Sequence, residues 1–158
     1  MAYQKLQVGT GIAVIPSDTI DIPAVSGPVV DSTMTQAPPT TSTIVDDTQD
    51  FTAIQGLVGS TVIVGSSIAR VASVNSATSI ILDAPIAGAA AVGYKVYVKD
   101  SNPGCVLYVG TGGDVRVLTA SGADLTFSNV ADGTFLPVQV KRVFSTGSTG
   151  SADILALW

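Results

Sequence analysis

Carboxylates are almost the only side chains in this chain that could do acid–base, nucleophilic or metal chemistry. All twelve acidic residues are Asp, there is no Glu and no His, and Cys105 is the single cysteine. A Ser-His-Asp triad, a Cys-His pair and a His- or Cys-rich metal site are therefore excluded within one chain. Paired carboxylates can divide general acid and base work, as in glycoside hydrolysis, but twelve Asp residues supply pairs by number alone. Most stand in turn contexts, where Asp caps neighbouring N–H groups, and no catalytic residue is assigned. Asp46-Asp47-Thr48-Gln49-Asp50 places oxygens at alternate positions 46, 48 and 50. A helix-loop-helix calcium site would need Gly where Phe51 stands and a closing Glu. The preferred reading is a solvated acidic turn, with no metal site and no cofactor.

Two further segments have chemistry-bearing types but a structural reading. Gly110-Thr111-Gly112-Gly113-Asp114 is rich in glycine, yet a phosphate-cradling loop must open a helix whose N–H groups face the anion. Val115-Arg116-Val117-Leu118 follows instead, which reads as a strand, so the glycines read as a hairpin turn. Cys105 lies in the apolar run Cys105-Val106-Leu107-Tyr108-Val109, with no cation nearby in sequence to lower its pKa, and reads as a small buried hydrophobe.

The elements that must hold these residues are strands. Val, Ile and Thr make up 51 of 158 residues, a set that suits a pleated, half-buried surface and loses rotamer freedom in a helix. Strand candidates are Gly11 to Ile15, Asp18 to Ile22, Ile44-Val45, Thr61 to Val64, Ser67 to Val74, Thr78 to Leu82 and Val92 to Val98. After the break at Asn102-Pro103-Gly104 come Cys105 to Val109, Val115 to Thr119, Asp124 to Phe127, Val138 to Phe144 and Ile154 to Leu157. Gly59, Gly65, Asn75-Ser76, Pro85 and Gly88 punctuate the middle as turns. Residues 51–58 hold either one helical turn or a loop. Between Asp31 and Thr43, nine of thirteen residues are Ser, Thr or Pro, which reads as an extended surface connector that forms no ladder. Lys141-Arg142 interrupt the alternation of Val138 to Phe144, through a bulge, an interface contact or, preferably, a solvated face. The apolar end at Trp158 should be tied into a sheet or buried against a neighbour.

Seven Lys and Arg against twelve Asp leave a net charge of −5, which argues against a nucleic-acid partner. No stretch approaches the ~18–20 apolar residues that span a bilayer, since Ala84 to Val98 is broken by Pro85, Gly88, Gly93 and Lys95. Met1-Ala2-Tyr3-Gln4-Lys5 is not followed by the apolar core of a signal peptide. The expectation is synthesis in a cytoplasm without export, and no membrane partner. High apolar content with little charge fits a chain that hides surface in an assembly.

The stretch from Gly104 through Gly110-Thr111-Gly112-Gly113-Asp114 to Val115 resembles the head-spike base and capsid decoration proteins of tailed phages and gene transfer agents. Gly133-Thr134-Phe135-Leu136-Pro137-Val138-Gln139-Val140-Lys141-Arg142-Val143-Phe144 is similar to the same family. Ala152-Asp153-Ile154-Leu155-Ala156-Leu157-Trp158 looks like its closing strand, and Ala13-Val14-Ile15-Pro16-Ser17-Asp18 like its opening. Residues 44–99 are similar to small β-modules that recur in phage structural proteins. The resemblance implies an oligomeric β-sandwich attached to a virion, without catalytic residues or cofactor.

The expected fold is all-β. A sandwich is formed by residues 101–158 with the N-terminal strand or strands of 1–30, followed by a connector at 31–43 and a small barrel-like module at 44–100. The expected function is a non-enzymatic virion component, a capsid decoration or head-spike base bound to the major capsid protein or another virion protein. It is expected to be a homo-oligomer, with a fibre protein as a candidate further partner. The alternatives are a tail or baseplate adaptor or fibre-attachment protein and, in another class, a glycan-binding receptor module. The last would use residues 44–99, with Tyr94 and Tyr97 as its aromatic platform.

Overall fold

The computed structural model describes residues 9–23, 26–35, 40–87, 91–99, 102–150 and 153–158. Within them the protein is all-β, with one 3-10 turn at Phe51–Ala53. The strands are β1 (Gly11–Ala13), β2 (Val30–Thr33), β3 (Thr40–Val45), β4 (Thr61–Val64), β5 (Ser67–Ser76) and β6 (Ser79–Ala87). They continue as β7 (Gly93–Tyr97), β8 (Cys105–Val109), β9 (Gly113–Thr119), β10 (Asp124–Val130), β11 (Thr134–Val143) and β12 (Ile154–Leu157). The chain divides into two compact units, Met1–Val25 with Asn102–Trp158, and Ser26–Ser101. Each has one six-stranded antiparallel sheet and its own apolar core.

In the first unit the sheet order is β1-β12-β8-β11-β9-β10. Alternation sends Cys105, Leu107 and Val109 of β8, Val115 and Val117 of β9, and Ile154 and Ala156 of β12 into the core. The shaping element is β11. Its first half pairs with β8 (Leu136 opposite Leu107), its second half with β9 (Val143 opposite Val117), and the register shifts on either side of Val140. Val140 faces both Cys105 and Thr119, and the bulges bend the strand so that it serves both neighbours. Since β11 lies between β8 and β9, Gly110–Gly112 does not close a hairpin. This corrects the expectation drawn from its glycines: the β9–β10 turn is a hairpin, while β8 and β9 are separated by a strand that arrives later in the chain.

The expected second strand at Asp18 to Ile22 is also corrected. Val14, Ile20 and Ile22 are buried, but the segment between them is irregular. Ser17 Oγ accepts from the N–H groups of Thr19 and Ile20, a local turn that competes with a ladder. Its main-chain bonds to the sheet are isolated, Ser17 N–H to Val143 O and Ile22 N–H to Lys141 O, and do not build a ladder.

In the second unit the order is β2-β7-β4-β5-β6-β3. The sheet curls until its two edges meet: Thr35, just past β2, donates its N–H to Val45 O at the end of β3 (2.9 Å), and its hydroxyl accepts from Asp47 N–H. The interior is filled by Met34, Ile44, Phe51, Val62, Val71, Ile80, Ile86, Tyr94 and Val96, among others. The surface connector expected at 31–43 is overturned on both sides of Pro38-Pro39, which lies outside the described residues. Val30–Thr33 pairs with β7, Thr40–Val45 pairs with β6, and Met34 is 1% exposed. Thr is β-branched and at home in strands; the two prolines outweighed it in the sequence reading. Ser26 to Val30, expected to go with the N-terminal strand, belongs with this second unit. Pro85 does not end β6. It lies where the register against β3 jumps from Ile86–Thr41 to Ile81–Thr43, so its missing N–H costs no ladder bond.

Candidate functional site

The acidic run at 46–50 is not a solvated turn throughout. Asp46 is fully buried. Its Oδ2 accepts from the Tyr94 hydroxyl at 2.8 Å, and its Oδ1 accepts from the N–H (2.9 Å) and hydroxyl (2.6 Å) of Thr48. Burial pushes its carboxyl up, but hydrogen bonds from Ser32, Thr48 and Tyr94 outweigh that and hold it below the usual carboxylate range. Burial, and then the Asp46 charge, push the Tyr94 phenol far up. Asp50 caps the 3-10 turn by accepting from Thr52 N–H and hydroxyl. Among the described residues no three acidic or thiol side chains gather in a metal-binding arrangement. Tyr94 and Tyr97, the expected aromatic platform for glycan, are both buried, which removes that support.

The glycine loop between β8 and β9 uses its amide within the protein surface. Gly112 N–H donates to Asp132 Oδ1 at 2.7 Å, and a Cβ on Gly112 would stand 2.2 Å from Val130 O. Glycine is required there by close approach of backbone rather than by an anion. Cys105 is buried, and desolvation raises its thiol to about 12; its S–H points at Val140 O, 3.2 Å away. Such a thiol is protonated and unreactive at neutral pH.

The arginines of the first unit serve the fold. Arg116 holds Asp124 through two hydrogen bonds, Nε to Oδ1 and Nη2 to Oδ2. Arg142 donates from Nε to Asp21 Oδ1 (2.7 Å) and from Nη1 to the main-chain oxygen of Asp18 (2.9 Å). Both guanidinium groups lie within 6 Å of the Phe144 ring centre, at 4.5 and 5.7 Å. Lys141-Arg142 is thus a bulge, and Arg142 is largely covered, its side chain 19% exposed, rather than free in solvent. Asp18 accepts from the N–H and hydroxyl of Thr146 and the hydroxyl of Ser145, which lower its carboxyl to about 2. These contacts fasten the irregular 17–22 segment to the end of β11.

Among the described residues, the outer face of the first unit's sheet carries an apolar row that its own core does not use. Across β11, β8, β12 and β1, Phe135 stands opposite Tyr108, Tyr108 opposite Leu155, and Leu155 opposite Ala13. The neighbouring row is Val106, itself buried, with Leu157 and Gly11. Phe135 is 53% exposed and Leu155 40%, and the Tyr108 and Phe135 rings pack at 5.1 Å. No side chain in either row carries charge. A Cβ on Gly11 would meet the Leu157 side chain at 2.7 Å, so glycine lets that leucine lie over the edge strand. An antiparallel sheet with one face on the core normally presents polar residues on the other; here the outer face over β8 and β12 is apolar, while β9 and β10 carry Arg116 and Asp124. The sequence reading took Cys105 to Val109 as an apolar run and did not foresee this outer face. The signal was present in Leu155, apolar between the inward-facing Ile154 and Ala156.

Comparison with family models, with curated proteins and with solved structures gives no match for this chain.

Proposed function

We propose that this protein is a non-enzymatic structural component of a virion, a capsid decoration or head-spike base protein that docks on the major capsid protein or another virion protein. The observation that carries this reading is the uncharged outer face of β11, β8, β12 and β1, with Phe135, Tyr108 and Leu155 in one row. Such patches are the usual mark of a protein-binding surface, and an aromatic pair beside an aliphatic anchor is the composition of an interface centre. The resemblance of 104–158 to head-spike base proteins supplies the partner class. Docking works by burial: covering this face removes apolar area from water without stranding a charge.

Co-sedimentation with empty capsids of the phage that encodes the chain tests the reading. The wild type is expected in the capsid pellet, and Phe135→Ser and Leu155→Ser in the supernatant with unchanged melting temperatures. Loss of one aromatic anchor should weaken binding at least ~30-fold. A wild type that stays unbound, or variants that bind as well as it does, would overturn it.

A further inference from the structure

The edge strand β10 has unused pairing capacity. It ends the sheet of the first unit, beside β9 alone. Thr119 N–H donates to Ala123 O, and the alternation of an antiparallel ladder then assigns Leu125 and Phe127 to bonds with β9. Asp124 and Thr126 turn their N–H and C=O groups away from the sheet. Proteins usually blunt such an edge with Lys, Pro or a short strand. Asp124–Val130 has neither residue and is seven residues long; only the register shift between Phe127 and Val130, with Asn129 at φ 54°, interrupts it. Leu125 lies opposite the fully buried Val117 on the core-facing side, yet it is 43% exposed. The core is left open at this edge.

We infer that β10 pairs antiparallel with β10 of a second copy of this chain, about a two-fold axis through Thr126, joining two six-stranded sheets into one. The sequence of the edge is self-complementary about that axis. Each Leu125 meets the partner copy's Phe127, covering the apolar side chain the monomer leaves open, and such cross-strand pairs stabilise sheets. Asp124 falls opposite the neutral Ser128 instead of another Asp, and its charge is already held by Arg116. For a chain of net charge −5, an edge that brings no two acids together is where a second copy can approach. The outward N–H and C=O of Thr126 exchange two bonds with their symmetry mates. This is an isologous contact, closed at two copies, on a surface separate from the row of Phe135, and it holds whatever that row docks on.

The test uses the whole chain. Sedimentation equilibrium at micromolar concentration should show a dimer. Thr126→Pro removes an outward N–H that β9 does not use, so it should keep the melting temperature while raising the dimer dissociation constant at least about tenfold. Phe135→Ser should leave the dimer intact, which separates this contact from capsid docking. Thr126→Cys should form a covalent dimer under mild oxidation, because hydrogen-bonded pairs lie ~5.5 Å apart at Cα, within disulfide reach; Ala72→Cys, on β5, should not. A monomeric wild type, a Thr126→Pro dimer as tight as wild type, or equal cross-linking of the two cysteine variants would overturn the inference.

Discussion

Tyr94 donates its phenolic hydrogen to Asp46 at 2.8 Å in the interior of the second unit, joining β7 to the residue just past β3. Asp46 also bonds Thr48 and Ser32, so one buried carboxylate gathers groups from β2, β7 and the turn after β3. Thr35 brings the edges of the same sheet together through the main chain. The closure of this curled sheet therefore rests on a polar knot inside an apolar core, where every member must be satisfied.

Replacing Tyr94 by Phe removes one donor and leaves the carboxylate buried with fewer partners. The expected cost is ~1–3 kcal/mol of unfolding free energy, measured by urea denaturation. Asp46→Ala should cost more, because it strands the phenol and the Thr48 hydroxyl together. A neutral result for Tyr94→Phe would mean that the knot contributes nothing.

Asp18 should make stability pH-dependent in acid. Its folded-state value is about 2 against a reference of 3.8. A depressed carboxyl contributes stability that is fully present above the unfolded value and is lost as pH falls through the folded one. The melting temperature of wild type should exceed that of Asp18→Asn above pH 3.8, and the gap should close as the pH is lowered to about 2. A gap that is constant over this window would contradict the assignment.

Cys105 should resist thiol reagents in the native protein. It is buried and its thiol is raised to about 12, so the thiolate fraction at neutral pH is negligible. Mass spectrometry after iodoacetamide treatment should show an unmodified chain in buffer and complete modification in denaturant.

Gly112→Ala should destabilise the first unit by at least ~1–3 kcal/mol, the usual cost of overpacking. Its new methyl would stand 2.2 Å from the Val130 carbonyl oxygen, a backbone atom that cannot swing aside. The denaturant midpoint measures this, and a midpoint equal to wild type would show that the 110–113 loop has room to move.

What the sequence by itself determined is local. The abundance of β-branched residues and the alternation along the chain made the all-β class legible, and Thr61–Val64, Cys105–Val109 and Ile154–Leu157 were readable to the residue. Side-chain period and turn residues act within a few positions, so they mark strands but not their neighbours. The tertiary structure alone decided which strands pair. It set β11 between β8 and β9, where the glycines of 110–113 suggested a hairpin, and drew Asp31 to Thr33 and Thr40 to Thr43 into a sheet in spite of the prolines between them. It also decided the fate of the charges: Asp46 is buried where Tyr94, far along the chain, adds a donor to those of the neighbouring Thr48. The outer row of Phe135, Tyr108 and Leu155 arises the same way, from three strands whose register long-range pairing sets. Pairing free energy depends on contacts across the whole chain, and no short window of residues contains it.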